Sequence, residues 1–328
     1  MYEKHLEAAE ERFRGKKKKK RRKRRVLLPI LLVLLVIAVW LGRKLALSRL
    51  RDNSGTTRDT VTVLPENAAS TVVEYNAAFP DVGEGAAAVL TDGNTAVLID
   101  CGPKEGADEL LRVLAERGIT SVDLVIMTHY DADHIGGFET LVENISVKEV
   151  WGPDYEADTE TYRYFRKSLE KEGIPFRNPE VGTKAAIGGV SLEILGPVLP
   201  ETEEELLEVT ENEYSLFIRA VVAGTVMLFT GDSDTAAEER VVASGAELSC
   251  DLYFVSHHGS CYGSSDALLE AMGAEYAVIS VGTENDYGHP HEACLRRLRQ
   301  YGISISRTDE SGSIYLFCGE DGFTLKRK

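Results

Sequence analysis

The chain has 328 residues, 43% of them hydrophobic, and a formal net charge of −16, a length that suits one large domain or two small ones. The charge is unevenly placed: residues 1–52 carry 17 Lys+Arg against 5 Asp+Glu and the remainder 20 against 48, so a tail of net +12 precedes a body of net −28. A body that acidic argues against capture of an extended polyanion by long-range attraction.

Lys16 to Arg25 are ten consecutive basic residues, and Val26 to Leu41 is almost purely apolar. The run is a little short of the ~20 residues that span a bilayer. Gly42 extends it, and Arg25, Arg43 and Lys44 can reach the interface from inside the core. The pattern predicts a basic cytoplasmic tail over 1–25, a transmembrane helix over 26–42 and an exported remainder. A cleaved signal peptide is the alternative; the heavy basic block and the lack of a small-x-small cleavage site favour the uncleaved anchor. Residues 43–75 are mostly polar and read as a flexible linker, and 76–328 as the functional domain.

From there the elements follow in order. Ala86 to Thr91 and Thr95 to Asp100 read as strands joined through Asp92-Gly93-Asn94, a hairpin signal. Ala107 to Arg117 reads as a helix stopped by Gly118, Val122 to Met127 as a buried strand, and 137–143 and 159–171 as helices. A mostly β stretch follows, with strands near 190–195, 215–222 and 225–229. The pattern then alternates: strand 251–255, helix 266–272, strand 276–281, helix 292–301. Strands near 303–306, 313–317 and 323–325 close the chain. Strands in both halves with helices between them predict an α/β (α+β) fold of two packed sheets covered by helices. The acidic stretch Glu201 to Glu213 reads as solvated surface.

Six of the seven histidines fall in three clusters, each after a strand-like run. His129, Asp131, Asp133 and His134 lie within six residues on a loop leaving a buried strand. Imidazole and carboxylate suit Zn²⁺, Mn²⁺ or Fe²⁺, and such a loop can turn alternate side chains toward two metals. Asp232 follows Thr230-Gly231 at the end of an apolar strand; it is either a ligand or the N-cap of a helix from Thr235, which Ser233 or Asp234 would serve equally well. His257 and His258 offer one ligand and one imidazole that either supports the ligands from behind or binds substrate, and the sequence leaves open which is which. His289 lies in a turn-rich loop, Asn285 to Pro290, where it could touch a phosphate oxygen or protonate a leaving group. Ser260, Asn212, Ser215 and Asn285 are candidate substrate contacts. His291 and His5 read as surface residues. The five cysteines show no C-x-x-C spacing and read mostly as small buried residues, with one disulfide between Cys250 and Cys261 conceivable.

This layout resembles the metallo-β-lactamase fold superfamily, and within it the hydrolase domain of ComEC-like DNA-uptake proteins. The likeness covers about 76–327, through Phe79 to Gly85, Leu98 to Gly102, Thr128 to Gly137, Asn212 to Leu216, Thr230 to Asp232, His257 to Ser260 and Asn285 to Pro290. It implies a four-layer αββα sandwich with two divalent metals, Zn or Mn, at one edge. By the matching motif the ligands are His129, Asp131, Asp133, His134, Asp232 and one of His257 and His258. The entry segment departs from the usual G-Q-G-D, reading Gly83-Glu84-Gly85-Ala86, so a polar group near the site is expected to be missing. The multi-helix channel of DNA-uptake proteins is also absent from this sequence, so transport is not expected of it.

The expectation is a membrane-anchored extracellular hydrolase acting on a phosphodiester: nucleic acid, or a small or wall-linked substrate. Its metals would lower the pKa of a bridging water from ~16 toward ~7, Asp131 or Asp133 would orient the resulting hydroxide, and His289 would assist. The rivals are a metallo-hydrolase of a lactam or thioester and a non-catalytic surface binding protein.

Overall fold

Strands that bury both faces carry apolar side chains at nearly every position, and this is how the two central sheets are built. In strand Ala96–Cys101 every residue is buried; Val97 and Ile99 point one way, Leu98 and Cys101 the other. In strand Thr225–Phe229, Met227 and Phe229 face the same core as Val97 and Ile99, while Leu228 faces away. The shared core is therefore the seam between the two sheets.

The computed structural model describes residues 62–63, 74–319 and 322–327. The expected basic tail, the transmembrane helix at 26–42 and His5 lie outside these residues. Among the described residues no helix is long and apolar enough to cross a membrane.

One sheet has nine strands, in the order Thr62–Val63, Gly322–Arg327, Ile314–Gly319, Ala77–Phe79, Ala87–Thr91, Ala96–Cys101, Leu124–Ile126, Val150–Trp151, Phe176–Arg177. The other has seven: Lys184–Ile187, Val190–Gly196, Phe217–Val222, Thr225–Phe229, Leu252–Phe254, Tyr276–Ile279, Ser304–Arg307. Helices Ala107–Arg117, Phe138–Asn144 and Glu160–Glu172 contribute to the core behind the first sheet. Helices Thr235–Ala243, Asp266–Met272 and Glu292–Gln300 do the same behind the second. This is the expected αββα sandwich. Its helix ends follow local chemistry: Gly118 takes the left-handed conformation that ends Ala107–Arg117, and Thr159 accepts from Tyr162 N to start Glu160–Glu172.

Several features differ from the sequence reading. Strands Ala77–Phe79, Val150–Trp151, Phe176–Arg177 and Lys184–Ile187 were not anticipated. Thr62–Val63, inside the expected linker, pairs in parallel with Gly322–Arg327, so the sheet recruits chain ahead of residue 76. All five cysteines are free, which removes the conceivable Cys250–Cys261 bridge. In the acidic stretch Glu213 is buried and paired with Arg240 at 2.6 Å.

What positions the site is strand register. Phe229, Phe254 and Val278 sit level on three parallel neighbours, and Ile99 sits level with Ile126 in the other sheet. The loops after these strands therefore start from matched heights, at the carboxyl ends where open α/β sheets usually place ligands.

Candidate metal centre

The loop after Leu124–Ile126 carries His129 to His134, and a single-turn helix, Ala132–Ile135, folds it inward. Gly85 supports it from below. Its φ is +151°, Ala86 N donates to Asp133 O at 3.1 Å, and a Cβ on Gly85 would come within 2.3 Å of that oxygen. Only glycine allows so close a backbone approach.

Four side chains form a compact group: Asp133, His134, Asp232 and His258, whose ligand atoms all lie within 4.8 Å of one another. His134 Nε2 is 3.1 Å from Asp232 Oδ1 and 3.3 Å from His258 Nε2; His258 Nε2 is 3.1 Å from Asp133 Oδ2. A second, looser set meets the other oxygen of Asp232. His257 Nε2 stands 3.8 Å from Oδ2 and His129 Nε2 3.9 Å, and Asp131 Oδ2 is 3.6 Å from His129 Nε2. Asp232 is thus the carboxylate common to both. It is free for this because Asp234, not Asp232, caps helix Thr235–Ala243 by accepting from Ala237 N. The two adjacent histidines are separated by left-handed backbone, φ +50° and +52°. Their rings are nearly perpendicular, so His258 is buried in the compact group while His257 faces the second.

The imidazoles are locked from behind. His134 Nδ1 donates to Asp100 Oδ2 at 2.8 Å and His258 Nδ1 to the Ser280 carbonyl at 3.0 Å. Thr128 Oγ1 donates to Asp100 and lies 3.1 Å from His129 Nδ1, which it can accept from. With each Nδ1 engaged as a donor, the Nε2 lone pairs are presented to the site, the arrangement typical of metal-bound histidine. Two such lone pairs 3.3 Å apart repel unless a metal ion or a proton lies between them. His129 Nε2 is buried without a hydrogen-bond partner, which costs free energy in the bare protein. Both observations, with a pure His/Asp donor set, fit divalent cations.

Protonation tells the same story. Burial alone would lower His134 and His258, yet Asp232 and its neighbouring carboxylates raise His134 well above its usual value and His258 to about 10. Burial would raise Asp133 and Asp232; the two imidazoles instead hold Asp133 at about 2 and Asp232 well below its usual range. His257 is lowered, chiefly by burial.

The remaining expected residues are placed as follows. Ser215 is fully buried and accepts from Asp232 N at 3.1 Å, so it braces Asp232 rather than facing a substrate. Asn285 is committed to its own loop: its amide donates to Gly282 O and His289 O, and its oxygen accepts from His289 N. Ser260 is buried, with its hydroxyl 3.4 Å from Tyr262 N. Asn212 lines an open groove of about 470 Å³ together with His257 and Tyr262. His289 is buried, its ring 5.5 Å from that of His257. His291 is not simply on the surface: its Nδ1 accepts from Cys261 N.

Sequence reasoning assigned no role to Asp100, Thr128, Ser280, Glu84 or Glu238. Glu238 is fully buried and accepts from Ser264 N and Ser265 N, anchoring the far end of the His257 loop; burial raises its carboxyl to about 7 against those bonds. The entry segment does lack a polar side chain at Ala86, while Glu84, in the position of the usual Gln, sets its carboxylate 3.3 Å from His289 Nδ1.

A model of the metallo-beta-lactamase superfamily matches residues 80–283. Over 266 residues the chain is 31% identical to Competence protein ComA of Neisseria gonorrhoeae, an alignment covering 80% of this chain and 34% of that protein. Over 209 residues it is 28% identical to ComE operon protein 3 of Bacillus subtilis, covering 64% and 26%. The chain therefore spans about a third or less of the length of these curated relatives. Among solved structures, the metallo-beta-lactamase fold protein YhfI from Bacillus subtilis aligns with a TM-score of 0.48 at 16% identity, over 71% of this chain and 96% of that one.

Proposed function

The chain belongs to the metallo-beta-lactamase superfamily, and from that premise we propose that it is a membrane-anchored extracellular phosphodiesterase dependent on two divalent metals, Zn or Mn. The observation that carries the reading is Asp232, whose carboxylate borders both sets: Oδ1 lies 3.1 Å from His134 Nε2, and Oδ2 faces His258 at 3.6 Å, His257 at 3.8 Å and His129 at 3.9 Å. Asp133, His134 and His258 would hold one ion with it, and His129, Asp131 and His257 the other. Bound there, the ions would supply Lewis-acid polarisation of a phosphoryl oxygen and an activated water.

The chain's own side chains do the rest. Asp100, Ser280 and Thr128 hold three imidazoles in one tautomer. Asp131, about 41% exposed, meets solvent at the mouth and can accept a proton there. His289 stands beside His257 as the candidate contact for a substrate oxygen. The acidic body favours a small phosphodiester or a short nucleic-acid end over extended duplex.

The test is hydrolysis of an aryl phosphodiester, single-stranded DNA and duplex DNA by the full-length chain with Mn²⁺ or Zn²⁺. Asp133→Ala should cut turnover by about 10³-fold or more, the loss of several kcal/mol of transition-state stabilisation. Activity on DNA should change less than about tenfold between 50 and 200 mM salt. An enzyme leaning on many phosphate contacts would lose roughly 10³-fold or more over that range. Full activity in the variant would remove the assignment, and a steep salt response would remove the substrate preference.

Anchoring through residues 26–42 rests on the apolar run and the ten basic residues before it. Protease added outside intact cells should release the domain. Complete protection of the domain, in cells whose known surface proteins are cleaved, would argue for the opposite topology.

A further inference from the structure

We propose that Glu84 is a positioning residue that pins the proton of His289 on Nδ1 and leaves Nε2 as the ring nitrogen free to meet a ligand. Glu84 rides the turn Gly83-Glu84-Gly85, whose last residue packs under the candidate ligand loop. Its Oε1 lies 3.3 Å from His289 Nδ1, and its Oε2 accepts from Gly282 N at 3.3 Å. An ionised carboxylate can only accept, so Nδ1 must donate. The two segments are packed backbone to backbone: a Cβ on Gly282 would come within 2.8 Å of Glu84 N. The ring cannot easily turn away. Asn285 clasps His289 from the backbone on both its N–H and its carbonyl, Tyr287 stacks on the ring at 5.6 Å, and His257 meets its edge at 5.5 Å. His289 thus has the same construction as His134, an imidazole with a carboxylate behind Nδ1, yet it lies outside both sets of candidate ligands. Its free nitrogen is therefore available to substrate, which is where the inference rests on the proposed function; the tautomer does not.

The two are tested separately. Full-length chain labelled with ¹⁵N-histidine and loaded with Zn²⁺ gives long-range proton–nitrogen spectra in which each tautomer has its own pattern. His289→Gln identifies the signals of this ring. In the wild type His289 should be protonated on Nδ1. Glu84→Gln keeps the size of the side chain. Its oxygen stays on Gly282 N–H and its NH₂ turns to His289 Nδ1, so the proton should move to Nε2. Glu84→Ala should leave the two tautomers averaged. An unprotonated Nδ1 in the wild type, or a Glu84→Gln spectrum identical to it, would overturn the proposal.

On an aryl phosphodiester, Glu84→Gln should lower kcat by about 10–100-fold, the usual cost of losing a partner behind a functional imidazole, with KM within about threefold. A change in KM alone would also count against it. Absence of any hydrolysis by the wild type would defeat the phosphodiesterase reading, and the spectra would still decide the role of Glu84.

Discussion

Replacing Asp232 with alanine is expected to empty both metal positions at once. Elemental analysis of the purified full-length variant should fall from about two transition metals per chain, as in a two-metal hydrolase, toward none, and phosphodiester turnover should fall to background. The reason is geometric. Oδ1 lies 3.1 Å from His134 Nε2, while Oδ2 faces His258 at 3.6 Å, His257 at 3.8 Å and His129 at 3.9 Å. Substituting any other candidate ligand removes a donor from one group and spares the other. His257→Ala therefore serves as the contrast: it should release the ion of the looser group while the compact group of Asp133, His134, Asp232 and His258 keeps its own. Two metals retained in Asp232→Ala would mean that the carboxylate is not shared.

Chelation should destabilise the protein strongly, and more so at high pH than at low. An ion held at about 1,000 times its dissociation constant adds ~4 kcal/mol of stability per site. At ~2–4 °C per kcal/mol for a domain of this size, stripping two ions should lower Tm by roughly 15 °C or more. The pH dependence follows from the raised imidazoles. In the metal-free protein, His134 and His258 hold protons that partly replace the missing cations. Because their folded pKa values lie above the unfolded ~6.5, the stability they supply is complete below that value. It is lost as pH rises, toward about 10 for His258. Metal binding must displace those same protons, so affinity rises with pH. Both effects widen the gap between loaded and stripped protein as the solution becomes more alkaline. Thermal melts with and without chelator from pH 6 to 9 check this, and a gap that narrows with pH would contradict it.

Much of the site was legible because its ligands interrupt strands buried on both faces. A run such as Leu124–Ile126 is apolar throughout, and His129 to His134 breaks it with a density of imidazole and carboxylate that no ordinary turn needs. The same contrast marked Asp232 and His257-His258. The residues behind them were not legible. Asp100 and Ser280 act through partners 34 and 22 positions away, on neighbouring strands of their own sheets, and Glu84 through one 205 positions away, in the opposite sheet's loops, so their roles exist only once strands have paired and, for Glu84, the sheets have docked. Ser215 and Asn285 were read as substrate contacts because small polar residues sit beside the clusters. Folding turns them inward, onto Asp232 N and onto the His289 loop. The choice between Asp232 and Asp234 as helix cap likewise needed the backbone, which delivers Asp234 to Ala237 N. The short strands Val150–Trp151 and Phe176–Arg177 carry two residues each, too few for any periodicity to register. Lys184–Ile187 is half exposed along its length and lacks an apolar signature.

The ligand loops come from opposite sides of the sandwich: His129 to His134 follow a strand of one sheet, and Asp232 and His258 follow strands of the other. Cations bound among them would act as rivets through the joint between two separately hydrogen-bonded plates. Slippage of either plate by an ångström or two would break the coordination sphere even with every helix and strand intact. Metal retention in this protein is therefore a gauge of how well its two halves have closed, and substitutions deep in the apolar seam, far from any imidazole, should register first as leaking metal.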